Sequence, residues 1–339
     1  MAIIKWVGGS GTSFNNKLNW SPQSVPTSSS DVMIQPAAPA TITAADGIVN
    51  SLVTGSAATL AITATSSFTI VGAKDAANPG GVSVNAGTIN LAGAADLYVS
   101  GTFDNKGLLN SQATSDIWLS GTLANTGTVH QAGDLNVGNA TVAGTVTNAK
   151  GAHYGLTGAV DIVTGNAGSS FDNAGTFTRG GTGVSDVTVA TINSGNISVG
   201  SGRLEFLGSL TNTGVMTASG ATLYINRSIQ GTGKLDIGGG GSLQLVQGKD
   251  AGQTVGFLGT GTLDLNAANS FAGLITGFGV HDKIDLINTA AISASYSAGV
   301  LTVHNGASAV AHLDFAGSYT SGNFTLSSDG HHGTLIGFH

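Results

Sequence analysis

The 339-residue sequence has no cysteine, which excludes disulfides, thiolate metal sites and cysteine nucleophiles. Charge is scarce too: 9% of residues are charged, Glu205 is the sole glutamate, and the 11 Lys and Arg leave a formal net charge of −7. With no basic patch to neutralise phosphates, a nucleic-acid partner is not expected. Aromatic residues make up 6%. Proline numbers 5, and Pro22, Pro26 and Pro36 all fall near the N-terminus. Later prolines would remove hydrogen bonds from any paired strand. No apolar run is long enough to span a bilayer, so the chain is expected not to be membrane-spanning. The opening residues through Trp6 lack a basic stretch leading into a long apolar core, so no cleaved signal peptide is expected. Disorder needs low hydrophobicity with high net charge. Here 41% of residues are hydrophobic and mean hydropathy is +0.23.

What the chain has instead is glycine, 53 residues of it, and a repeated phrase. An apolar residue is followed within two positions by Asn, any residue, then Gly, as in Phe103-Asp104-Asn105-Lys106-Gly107 and Leu123-Ala124-Asn125-Thr126-Gly127. The asparagines are Asn85, Asn105, Asn125, Asn148 (in Val146-Thr147-Asn148, without the Gly two residues on), Asn173, Asn193 and Asn212, spaced 20, 20, 23, 25, 20 and 19 apart. A second signature keeps the same period. It is an alternating strand such as Asp96-Leu97-Tyr98-Val99, Asp116-Ile117-Trp118-Leu119 or Thr222-Leu223-Tyr224-Ile225. Period-2 alternation places the apolar pair inside and the middle residue outside. A period near 20 with no helical pattern predicts an all-β fold, a parallel β-helix solenoid of roughly eleven coils. The usual handedness of crossovers makes it right-handed. The expected organisation is an N-terminal cap over 1–45, coils over 46–268 and a C-terminal β-rich module over 269–339.

Two segments carry resemblances. Trp6-Val7-Gly8, Asn19-Trp20-Ser21-Pro22, Pro26 and Asp31-Val32-Met33-Ile34 resemble the opening of bacterial autotransporter-like and adhesin-like β-helix proteins. Two large aromatics there would hide the first open coil, whose edge otherwise invites aggregation. Ile275-Thr276-Gly277-Phe278 and Asp282-Lys283-Ile284-Asp285-Leu286 resemble the C-terminal segments of proteins exported by type I secretion. This resemblance implies export by an uncleaved C-terminal signal and an extracellular or cell-surface location. The Gly- and Asp-rich calcium nonapeptides that often precede such ends are absent.

Four sets of residues are candidates for chemistry. Asn85, Asn105, Asn125, Asn173, Asn193 and Asn212 precede Gly at a turn. Asn tolerates left-handed backbone and its amide bonds to neighbours above and below, so a structural ladder is expected. Asp96, Asp116 and Asp134 stack at one position. Either a divalent cation such as calcium, or local bonds to turn N–H groups, would offset their repulsion. Tyr98 and Trp118, with Tyr224 in the same register further on, form a candidate aromatic platform for a glycan or protein partner. Six of the eight histidines lie in the C-terminal segment, without zinc-motif spacing. No Ser-His-Asp order or phosphate loop is present, so an enzyme is not expected.

These readings converge on a secreted structural or adhesive protein of the bacterial surface or extracellular matrix. Low charge favours close packing between copies, so self-association is expected, and a head-to-tail contact would give an open filament. A monomeric glycan-binding adhesin is one alternative, and a polysaccharide-degrading β-helix enzyme is another.

Overall fold

A computed structural model describes residues 2–73, 81–248, 250 and 252–339. The fold is all-β, a parallel β-solenoid of about 12 turns in all. The chain divides into two compact units, Met1–Phe177 and Thr178–His339. In both, a turn carries three short strands, termed A, B and C by their place in the turn, and like strands pair in parallel from one turn to the next.

In the first unit a representative turn runs through Thr102–Asn105 (A), Leu108–Ser111 (B) and Ile117–Leu119 (C). Thr102–Asn105 pairs in register with Thr122–Asn125, so that Asn105 lies against Asn125. Strand C aligns Leu97 with Ile117 and Tyr98 with Trp118. The alternation in the sequence is the alternation in space: Leu97, Val99, Ile117, Leu119, Leu135 and Val137 are all buried. Each such side chain contributes about 1.5–3 kcal/mol when withdrawn from water.

The glycine of the repeated phrase is explained by crowding rather than by an unusual dihedral. A Cβ on Gly107 would sit 2.0 Å from the carbonyl oxygen of Gly87, and one on Gly127 would sit 2.3 Å from that of Gly107. Successive turns approach so closely at this corner that no side chain fits.

The N-terminal segment joins the solenoid directly. Ala2–Trp6 pairs in parallel with Ser30–Ile34, and Trp20–Ser21 closes the outer edge of Ala2–Trp6 in antiparallel fashion. Trp20 is 1% exposed, its Nε1–H donates to the Phe14 carbonyl at 2.6 Å, and its ring lies edge-on to Phe14 and Trp6. Of the two aromatics expected to cap the first coil, Trp20 is core and Trp6 is half-buried beside it.

In the second unit the parallel turns end in antiparallel hairpins. Ser293–Ser297, Val300–Asn305 and Ser308–Ala316 form one, and Ser308–Ala316 runs parallel to Leu274–Thr276. Phe324–Ser328 and Thr334–Phe338 form the other, and Thr334–Phe338 pairs with Lys283–Leu286. Phe278 is buried where these meet, with ring centroids 5.3 Å from Phe257, 5.7 Å from Phe315 and 6.1 Å from Phe338. Asp282 ties down the preceding loop by accepting from the N–H groups of Gly279 and Gly261. The phrase spanning Ile275 to Leu286 thus holds the last coil against the hairpins.

Candidate functional site

The asparagine ladder is interior. Asn85, Asn105, Asn125, Asn193 and Asn212 are 0% exposed and Asn173 is 1% exposed. In the first unit Thr54 Oγ1 donates to Asn85 Oδ1 at 2.6 Å, and the chain continues Asn85 Nδ2 to Asn105, Asn105 to Asn125 and Asn125 to Asn148, each at 2.8 Å. Asn148 then donates to Asn173 at 2.7 Å. Asn85, Asn105, Asn125 and Asn148 each also donate to a carbonyl of the following B strand, for example Asn125 to His153 at 3.0 Å. In the second unit Asn193 donates to Asn212, and Asn212 donates to Gln253 Oε1 at 2.9 Å. Two expectations change. None of these asparagines has positive φ; they end extended strands and point inward, where the amide is the side chain able to satisfy both a like neighbour and a backbone carbonyl. Asn148 belongs to the ladder as fully as the others.

Asp96, Asp116 and Asp134 do stack, and each turns one oxygen to the backbone of the next turn. Asp116 N–H donates to Asp96 Oδ1 at 3.4 Å, Asp134 N–H to Asp116 Oδ1 at 3.0 Å, and Asp161 N–H to Asp134 Oδ1 at 2.9 Å. Ser67 N–H makes the same bond to Asp46 Oδ1 at 2.8 Å. Burial pushes the Asp116 carboxyl up; the Asp134 N–H bond pulls it down, and the charges of Asp134 and Asp96 raise it further. Among the described residues no group of three or more His, Asp or Glu is gathered in a metal-binding arrangement.

Two of the three platform residues meet. Tyr98 and Trp118 are 36% and 41% exposed, with ring planes 10° from parallel and centroids 6.1 Å apart. Their parallel register fixes them one turn apart. Tyr98 Oη donates to Asp96 Oδ2 at 3.2 Å. Burial and the Asp96 charge push the phenol up, so it stays a donor. Beside the rings is a hollow of about 230 Å3 lined by Tyr98, Ser100, Trp118, Ser120, Gly138 and Asn139. Asn139, which lines the hollow, accepts through Oδ1 from the N–H groups of Thr141 and Val142. The hollow is small against the roughly 300–1,000 Å3 of drug-sized pockets, so it suits one ring of a longer ligand. Tyr224 does not extend this pair. It belongs to the second unit, its strand neighbours are Glu205 and Gln244, and Arg203 covers its ring at 4.4 Å while pairing with Glu205.

A carboxylate pair in the second unit is absent from the sequence-based candidates. Asp264 and Asp285 lie opposite one another on adjacent strands. Asp264 Oδ2 accepts from Ser242 Oγ at 2.6 Å, while Asp285 Oδ1 is buried without a hydrogen bond. Burial pushes Asp285 up to about 6, reinforced by the charges of Asp264 and Asp329 and opposed by His331. The shared register of Thr262-Leu263-Asp264-Leu265 and Lys283-Ile284-Asp285-Leu286 was a usable signal. A folded-state value raised above the unfolded one, near 3.9, means that this group's contribution is full below about pH 4 and is lost as pH rises through about 6. Asp285→Asn is therefore expected to raise Tm at pH 7.5 and to change it little at pH 4. Thermal unfolding at the two pH values checks this, and equal shifts at both would contradict it.

No helix among the described residues is long and apolar enough to cross a membrane. Comparison with family models, curated proteins and solved structures finds no match to this chain.

Proposed function

We propose that this chain is a structural and adhesive β-solenoid of the bacterial surface or extracellular matrix that binds glycans through Tyr98 and Trp118. The observation that carries the reading is the stacked, exposed aromatic pair beside a hollow walled by hydroxyl and amide groups. The aliphatic face of a sugar ring packs on an aromatic ring, and its hydroxyls need donors and acceptors at the rim. Ser100, Ser120 and Asn139 supply them. Two paired strands hold the rings, so little side-chain entropy is lost on binding. Export by the C-terminal segment belongs to the same proposal and is supported by the Ile275-to-Leu286 resemblance alone.

Trp118→Ala is expected to abolish retention on a glycan array without lowering Tm by more than a few degrees. Unchanged glycan retention would sink the reading. End-to-end self-assembly is the weaker form, because open strand edges are what template such pairing. Trp20–Ser21 closes one edge in the first unit, and antiparallel hairpins follow the last turns of the second.

A further inference from the structure

The aromatic pair stands beside an acidic column. Asp96 starts the strand of Tyr98 and Asp116 immediately precedes that of Trp118, each two residues before its aromatic, and residues two apart along extended backbone share a face. Asp134 and Asp161 continue the column at the same position of the next two turns. The C strands of this unit, from Gly47–Val49 to Ile162–Thr164, contain no Lys or Arg. Asp96, Asp116 and Asp134 each accept through Oδ1 from a backbone N–H of the following turn. For Asp116 and Asp134 the second oxygen is left beside a hollow of about 340 Å3 that also takes in Thr114 and Thr157. Carboxylates therefore repeat at the turn spacing of about 4.8 Å, and the C strands themselves bring no Lys or Arg to Asp96, Asp116 and Asp134.

We propose that this surface selects polymers of amino sugars, hexoses carrying a free ammonium group, and turns away polyuronates. The proposal rests on the glycan-binding reading and names its ligand class. An ammonium group meets a carboxylate in a charge-assisted hydrogen bond, while the same sugar's C–H face lies on Trp118. One sugar is about as long as one turn of the solenoid and a β-1,4 chain turns over at each linkage, so alternate ammonium groups face the column and can meet every second carboxylate. The ammonium also gains from the π face of the indole. A uronate presents a carboxylate to this column and pays like-charge repulsion instead. Burial is the main cause that raises the Asp116 carboxyl, and the charges of Asp134 and Asp96 add to it; a bound cation relieves that added repulsion.

Calorimetric titration of the whole chain with three hexasaccharides tests it: β-1,4-linked glucosamine, the same oligomer fully N-acetylated, and galacturonate. The glucosamine hexamer is expected to bind roughly tenfold more tightly than the acetylated one, with no binding of galacturonate. The paired substitution Asp116→Asn and Asp134→Asn keeps an Oδ1 acceptor for the next N–H, so the column stays built and Asp96 still holds the Tyr98 hydroxyl. It is expected to remove the tenfold preference while leaving affinity for the acetylated hexamer unchanged. Trp118→Ala, which keeps every charge, is expected to abolish binding of both and so excludes simple polycation adsorption. Equal binding of the three, or a preference that survives the Asn pair, overturns the amino-sugar proposal while Trp118-dependent binding leaves the glycan reading standing. Binding that ignores Trp118→Ala, or no binding of any hexamer, overturns both.

Discussion

Asn125→Ala is expected to destabilise the protein by about 3–5 kcal/mol, more than any change on the outer face. The residue is the middle of an unbroken run of amide hydrogen bonds, accepting from Asn105 and donating to Asn148 and to the His153 carbonyl. Truncation leaves Asn148 Oδ1 and the His153 carbonyl without that donor in a site closed to water, and an unpaired buried polar group costs about 1–3 kcal/mol. The amide's volume is lost as well, and packed interiors collapse only partly around a deletion. Mutual polarisation along the ladder adds to the penalty. Urea unfolding followed by far-UV circular dichroism measures it. Thr147→Ala, a half-buried position on a strand of the same unit, serves as the control, expected within about 0.5 kcal/mol of wild type. A loss at Asn125 no larger than the control's would mean that the ladder is an accompaniment of the fold rather than a support of it.

Arg179→Ala is the second large effect, expected at about 3–5 kcal/mol. Arg179 is 1% exposed, and among the described residues it has no acidic partner. Its guanidinium is wrapped by the loop that follows it, with Nη1 donating to the carbonyls of Gly180 and Gly181 and Nη2 donating to those of Thr182 and Gly183. Two effects oppose one another. Burying the charge costs several kcal/mol, and burial lowers the guanidinium's proton affinity accordingly. Four charge-assisted bonds, at about 1.5–3 kcal/mol each, outweigh that cost. Arg179→Met separates packing from bonding. It refills the volume but donates nothing, so it is expected to recover part of the stability while amide exchange at residues 180–183 speeds up. If Arg179→Met matches Arg179→Ala in stability, volume is not part of the effect. If Arg179→Met leaves exchange at residues 180–183 unchanged, the guanidinium does not organise the loop.

The sequence carries the solenoid because each turn repeats two local rules, apolar alternation in strand C and Asn-x-Gly at the corner. Both rules are short-range, so they survive reading along one dimension. The reason for the asparagine is less visible. Inward amides and left-handed turns favour the same residue, and only the dihedrals and bonds separate them. Asn148 is harder to see because the spacing before and after it stretches to 23 and 25. Gln253, which takes over from Asn212 across 41 residues, shares no motif with the ladder. Asp46 and Asp161 escape because their strands lack the full alternating pattern, although their position in the turn matches that of Asp96.

At the candidate site, the pairing of Tyr98 with Trp118 is legible from one period of separation. The fate of Tyr224 is not, since Arg203 lies a turn earlier and reaches it across the face. Likewise Asp285 meets Asp329 because the terminal hairpin doubles back beside its strand. Contacts made by antiparallel return leave no periodic trace.

The most direct measurement is a titration of Asn125→Ala and Trp118→Ala with the glucosamine hexamer, at a temperature where both are folded. If the ladder is scaffold and the outer aromatic face is the site, Asn125→Ala binds with wild-type affinity despite its lower stability, and Trp118→Ala does not bind. Lost binding in Asn125→Ala with binding retained in Trp118→Ala would contradict that division.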